Sequence, residues 1–352
     1  MSASALDHPL LGALLGDAEA QAMFSLEAEL DAMLCFEVAL AGAEAECGLI
    51  PGEAVGAIVA GAEAFRPDME RLAAATARDG LAVPELVRQL RASVGGEHAE
   101  HLHKGTTSQD VIDTALVLRL AALLDLLEHR LGTLLERFEM LAMQVGQMPL
   151  TGRTRMQQAL PVTYGDRIAA WADPLARQRA RLAEVRDAVL VLQFGGPVGT
   201  LSAFGDAARP VAEALGRALG LKVPERSWQS GRDGLSVLSA WLATTAGVAG
   251  KFGQDVALMA QNELAEVIVA GAGGSSAMPH KQNPVAAEVL VSLARFAATL
   301  DGGFRQALVH EQERSGAAWT LEWLLLPQLC VTTARSLGLA IELADALDFP
   351  AG

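Results

Sequence analysis

Residues Gly271 to Pro284 read GAGGSSAMPHKQNP, and three of them carry side chains able to do chemistry. Ser275 offers a hydroxyl, Lys281 an ammonium and Asn283 a carboxamide, gathered between glycines that accept unusual backbone angles and a proline suited to open a helix. On composition alone the stretch could equally be a linker with an incidental lysine, since a short motif is only a hypothesis. Three further breaks invite the same question, because loops held by rigid elements tend to carry function. They are His98–Asp110, Thr151–Thr163 and Gln193–Asp206, the last reading QFGGPVGTLSAFGD.

The charge balance says what such loops must supply. The formal net charge is -15, which argues against nucleic acid and anionic membrane surfaces as partners. An anionic substrate would also be repelled at long range, so local cations would have to capture it. Arg153, Arg155 and Lys281 are the candidates in or beside the loops. His98, His101 and His103, with Glu97 and Glu100 beside them, could suggest a metal, but no second ligand group accompanies them and no metal is expected. Cys35, Cys47 and Cys330 are scattered and odd in number, which indicates neither a disulfide framework nor a metal knuckle. The glycines of 195–199 follow a helix-like run rather than a strand, so a dinucleotide fold is not expected.

The elements that must position these loops read as helices. Leu26, Leu30, Met33, Leu34 and Val38 recur at three- and four-residue spacings. Long helices are predicted over Gln109–Gly146, Tyr164–Leu192, Leu235–Val269, Pro284–Val309 and Ala317–Leu347, and no alternation lasts long enough to assign a sheet. Rods of this length suggest a bundle. The division expected is an N-terminal helical domain at 1–108, a long-helix bundle at 109–347 and a tail at 348–352. Hydrophobic residues make up 51% of the chain with only 5% aromatics, and the mean hydropathy is +0.28. Some of that surplus could be buried between subunits. The N-terminus lacks the basic stretch of a signal peptide and carries Asp7, Asp17 and Glu19, so the cytoplasm is the expected compartment.

The GSSAMPHKQNP segment resembles the signature GSSxMPxKxNP of the fumarase/aspartase superfamily at every specified position. GTTSQD (Gly105–Asp110) resembles the superfamily's first region, and GRTRMQQALPVT (Gly152–Thr163) its second, usually written GRTHxQxAxPxT. The resemblance implies an all-α fold, a long antiparallel helical bundle, assembled as a homotetramer whose active sites take loops from three subunits. It implies proton transfer beside a carboxylate, an aci-carboxylate intermediate, and no metal or organic cofactor. Ser275 matches the base, which needs its anion stabilised by cations and dipoles. Lys281 is placed to do that, with Asn283 as a hydrogen-bonding partner. His103, Thr107, Ser108 and Gln109 match substrate contacts in the first region, and Thr154 and Gln157 match positions in the second. His280 lies where relatives vary.

Finer features are similar to the cycloisomerases that process carboxymuconate in protocatechuate breakdown, within the beta-ketoadipate pathway. These are the paired Gln157 and Gln158, PERSWQSGRD (Pro224–Asp233) and HEQERSGAAWTLEW (His310–Trp323). Arg155 replaces the histidine of GRTH. A leaving hydroxide or amine needs a proton donor, whereas a leaving carboxylate, near pKa ~4, does not. That weighs against fumarase and adenylosuccinate lyase, the latter being the nearest rival. A non-catalytic structural protein on the same scaffold is the rival of another class, and it has no need for Ser275, Lys281 and Asn283 together. Glu311, Glu313 and Arg314 read as an ion-pair network in the bundle. Relatives commonly carry a further C-terminal helical domain, which is expected to be shortened or absent here.

Overall fold

The computed structural model describes residues 4–271, 273–274, 278 and 281–350. Two short turns, α1 (Gly12–Leu15) and α2 (Ala18–Ala22), precede α3 (Leu26–Glu46), α4 (Gly52–Glu63), α5 (Met69–Asp79) and α6 (Val83–Val94). Then come α7 (Ser108–Val145), α8 (Tyr164–Val189), α9 (Ala208–Leu219), α10 (Asp233–Met259), α11 (Val285–Phe304) and α12 (Gly316–Asp345).

Helices α7, α8, α10, α11 and α12 share one apolar core. At its centre Phe138, Trp171 and Phe252 meet with ring centroids 4.9 to 5.9 Å apart. Burying each phenylalanine contributes on the order of 2 kcal/mol. The Trp171 indole N–H would be stranded there but donates to Asp255 Oδ2 at 2.7 Å. Helices α10 and α11 lie close because Gly250 and Gly253 have no side chain to separate them: a Cβ at Gly250 would fall 2.3 Å from that of Ala294. A second core joins α3, α4, α6 and the start of α7 to α9 and Trp319. Helix α12 is long and apolar enough to cross a membrane, yet 61% of its most hydrophobic window is buried against the rest of the chain. It is a core helix.

The long helices fall where their periodicity placed them, with two corrections. The third ends at Met259 rather than Val269, and the chain then forms β3 (Ile268–Val269), which pairs antiparallel with β6 (Leu347–Asp348). The fourth ends at Phe304, followed by a 3-10 turn at Arg305–Leu308. The expectation of no sheet also needs correction. Thr151–Thr163 is a hairpin of β1 (Pro149–Thr154) and β2 (Gln157–Thr163), with a bulge between Thr151 and Arg153. Its two turn residues, Arg155 and Met156, both have positive φ, 50° and 66°. That geometry matches the right-handed twist of a hairpin but strains residues that carry a Cβ. A last small pair, β4 (Gly273–Gly274) and β5 (Gln282–Asn283), brackets the serine loop.

Candidate active site

Each of the first two loops ends in a helix cap. At the start of α7 the Thr107 N–H donates to Asp110 Oδ2 at 3.0 Å. At the start of α8 the Thr163 N–H donates to Asp166 Oδ2 at 2.8 Å, and Asp166 N–H returns a bond to the Thr163 hydroxyl at 3.1 Å. These reciprocal caps fix where loop becomes helix.

Asp110 does more than cap. Fully buried, it accepts from the N–H groups of Gly195 and Gly196 at 2.8 and 2.9 Å, from the Thr106 hydroxyl at 2.9 Å and from Gln193 Nε2 at 3.1 Å. Burial lifts its pKa to about 6 although those four donors oppose the rise. The carboxylate thereby ties the GTTSQD loop to the QFGG break. Gly105 completes the join, because a Cβ there would lie 2.5 Å from the Phe204 ring.

Beneath this loop lies a buried charge network. The Arg232 guanidinium donates to Asp113 Oδ2 at 2.6 Å and Oδ1 at 3.1 Å, and its Nε donates to Glu322 Oε1 at 2.8 Å. A second Arg232 nitrogen bonds Glu322 Oε2. All three side chains are at most 1% exposed. Burial works against the Arg232 charge, but Asp113 and Glu322 more than offset it and hold the proton above the ordinary arginine range. Burial likewise opposes the Glu322 charge, and His310 and Arg232 overcome it, holding that carboxyl below its usual range. The Trp319 indole N–H donates to Asp113 Oδ1 at 3.0 Å, and the Trp228 ring lies 4.6 Å from the Arg232 guanidinium carbon. The His310 Nε2 sits 3.4 Å from Glu322 Oε1. Thus PERSWQSGRD and HEQERSGAAWTLEW, which the sequence offered only as likenesses, meet under the first region.

Two residues link that network to the loop. Gln109 was expected to touch substrate, but its side chain is 0% exposed and its amide is engaged inward. It donates to Asp113 Oδ2 at 3.0 Å and to the Gln229 carbonyl at 2.8 Å, and its Oε1 accepts from Arg314 Nε at 2.9 Å. Arg314 Nη2 in turn reaches the Thr107 hydroxyl at 3.1 Å. Arg314 therefore belongs to the first region, not to an ion-pair network with Glu311 and Glu313. Sequence reasoning missed it because its partners lie more than two hundred residues away.

His103, at a strained φ of 60°, puts Nδ1 within 2.6 Å of Glu37 Oε1. Ser108 opens α7 and is half-buried. In the second region the Arg153 Nη1 pairs with Glu266 Oε1 at 2.6 Å, so part of its charge is met within the chain. The Tyr164 hydroxyl donates to the Glu266 carbonyl at 2.7 Å, so the hairpin base is moored to the segment after α10. Thr154, Arg155 and Gln157 are exposed at the tip. Gln157 Nε2 donates to the Met156 carbonyl at 3.2 Å. Among the described residues no acidic side chain pairs with Arg155. In the third region Lys281 is exposed, its N–H donating to the Met278 carbonyl at 2.9 Å, and Asn283 is half-buried in β5. Ser275 and His280 lie outside the described residues.

The basic side chains divide into two groups. His103 and Arg314 stand with the first region; Arg155 and Lys281 stand with the hairpin and serine loop. Among the described residues no hydrogen bond or ion pair joins one group to the other within a chain. A cavity of about 650 Å³ opens between α3, α5, α7 and α12 and is lined mainly by apolar groups such as Leu30, Met33, Leu72, Ile112 and Leu326. That lining is wrong for a polycarboxylate.

This arrangement of long rods and three motif-bearing loops matches a family profile described as lyase over residues 17–297, and the chain belongs to that family, within the fumarase/aspartase superfamily. Among the relatives is a 3-carboxy-cis,cis-muconate cycloisomerase of Pseudomonas aeruginosa, 44% identical over 98% of this chain and 76% of the relative. An enzyme so named in Bradyrhizobium diazoefficiens is 42% identical over 97% of this chain and 77% of its own length. The crystal structure of the 3-carboxy-cis,cis-muconate lactonizing enzyme of Pseudomonas putida superposes with a TM-score of 0.92 at 41% identity, covering 97% of this chain and 78% of that one. The chain spans about three quarters of the length of each.

Proposed function

We propose that this chain is a 3-carboxy-cis,cis-muconate cycloisomerase, interconverting that compound and 4-carboxymuconolactone. The observation that carries the reading is identity of 42 and 44%, over nearly the whole chain, to relatives bearing that name. In the lactonising direction a carboxylate oxygen adds to the farther alkene, at the carbon β to that alkene's own carboxylate. The electron pair moves onto the carboxylate beside the other alkene carbon, as an aci-carboxylate. Ser275 then delivers a proton to that carbon; in the opening direction it removes the same proton. Lys281 and Asn283 stabilise the developing charge. The leaving group of the reverse step is a carboxylate, stable without a proton, so Arg155 can stand where other lyases need a histidine.

Substrate capture falls to His103, Thr107 and Ser108 with Arg314 on one side, and to Thr154, Arg155 and Gln157 on the other. We place these two groups in one site by assembly of a homotetramer, each site taking loops from three subunits. The exposed hairpin residues Met156 and Leu160, 74% and 80% accessible, support such a contact. Residues 1–108 and 109–347 are proposed as the two working units, residues 348–352 as a tail and the cytoplasm as the compartment. Purified protein mixed with 3-carboxy-cis,cis-muconate should abolish the diene absorbance, and Ser275→Ala should slow this by roughly three or more orders of magnitude with assembly intact. A wild-type protein inert to that tricarboxylate, or a near-normal Ser275→Ala rate, overturns the reading.

A further inference from the structure

We infer that Glu37 is a positioning residue that fixes the tautomer and ring orientation of His103, leaving Nε2 for the first region. The inference deepens the proposed function and rests on it for its kinetic arm alone.

Glu37 and Glu44 lie seven residues apart on one face of α3, and both side chains are at most 1% exposed. Three of their four carboxylate oxygens, Glu37 Oε2 and both of Glu44, are buried without a hydrogen-bond partner. The fourth, Glu37 Oε1, lies 2.6 Å from His103 Nδ1. A buried anion is tolerable only when paired, and His103 is the partner. Glu44 need not be an anion at all. Burial lifts its pKa to about 8, with Lys104 opposing and Glu37 adding to the rise.

A carboxylate at Glu37 can only accept, so His103 carries a proton on Nδ1 and Nε2 is left for the first region. The ring is held this way although the backbone at His103 sits in the left-handed region, with φ at 60°. The other charged groups about this turn are Glu97 and Glu100 of the 3-10 helix before it, Lys104, whose Nζ donates to the Leu49 carbonyl at 3.2 Å, and Arg91 of α6, which donates to the Leu102 carbonyl at 2.8 Å.

The test uses the full chain with histidine labelled at Cε1 and His103 assigned from a His103→Gln control. In the wild type His103 should show the Nδ1–H form when neutral, and in Glu37→Gln, whose amide can donate as well as accept, the preference for that tautomer should be lost. Glu37→Asp, which keeps a carboxylate, should retain it. In the absorbance assay, KM for the tricarboxylate should rise roughly threefold or more in Glu37→Gln, with kcat changed much less. An unchanged His103 tautomer in Glu37→Gln overturns the inference, whatever the enzyme does with the tricarboxylate. Loss of thermal stability without that change likewise reduces Glu37 to a packing role.

Discussion

Arg314 Nη2 reaches the Thr107 hydroxyl at 3.1 Å, joining residues 207 positions apart, while Arg314 Nε holds Gln109 at 2.9 Å. Three side chains from two ends of the chain thus set the conformation of the loop that opens α7. One guanidinium fork thus holds the Thr107 hydroxyl with Nη2 and the Gln109 amide oxygen with Nε.

Removal of that fork should therefore be felt in function before stability. Arg314→Ala leaves the Gln109 carbonyl oxygen without its donor and costs roughly 1–3 kcal/mol in a partly buried setting. We expect kcat/KM for 3-carboxy-cis,cis-muconate to fall by about two orders of magnitude while the helical content is unchanged. Arg314→Lys should recover little, because one ammonium cannot serve Gln109 and Thr107 in the same plane. Circular dichroism with steady-state kinetics checks this, and full activity in Arg314→Ala would show that the loop holds itself.

Arg232 poses the opposite case. It is sandwiched between Asp113 and Glu322 with no access to water. Its replacement by methionine leaves two buried carboxylates facing each other, and breaking such a pair costs about 3–5 kcal/mol. Arg232→Met should lower the denaturation midpoint sharply at pH 7 and less at pH 5, where the orphaned carboxyls can take up protons. Equal losses at both pH values would mean that the site refills with water.

Glu44 gives a stability change of predictable sign. Its folded pKa is raised to about 8 from an ordinary carboxyl value of 4.5. Between those values folding takes up a proton, so this group's contribution to stability falls as pH rises from 4.5 to 8, at up to about 1.4 kcal/mol per pH unit. Below 4.5 both states are protonated and the penalty vanishes. Glu44→Gln removes the slope: its Tm should match the wild type at pH 4.5 and exceed it at pH 8. A variant less stable at both would show that Glu44 is ionised and paired in the folded protein.

The helices were legible because they bury one stripe and end in side-chain caps, as Thr163 with Asp166 and Ser315 with Ala318 illustrate. The hairpin was not, since most of β2 is exposed on both faces and so lacks the alternation that marks a half-buried strand. The motif residues could be found by their spacing, but not their surroundings. The Gln109 side chain is buried and bonds the Gln229 carbonyl, and Arg153 pairs with Glu266, neither of which the spacing discloses. Nothing in the charge-rich run from Glu311 to Arg314 distinguishes an arginine that reaches a site from one that faces solvent.

Arg155 is the sharpest test of the substrate assignment. It sits at the hairpin tip in the left-handed region, exposed, beside Met156 in the same strained conformation. Two consecutive residues with a Cβ at positive φ cost roughly 1–3 kcal/mol each, where glycine or asparagine would relieve them. An exposed arginine with no acidic partner among the described residues is open to an anion. Arg153, two residues earlier, is already paired with Glu266. If Arg155 grips a carboxylate of the tricarboxylate, Arg155→His should mainly raise KM, with a loss of about 2–4 kcal/mol in kcat/KM. It should create no useful fumarase or ammonia-lyase activity, since the geometry around the leaving group stays the same. Arg155→Gly separates strain from charge: it relaxes the turn but removes the guanidinium, so stability should hold or rise while KM climbs as in the histidine variant. An unchanged KM in both variants would mean that Arg155 is not the anion clamp, and the physical argument for a leaving carboxylate over a leaving amine would lose its main support.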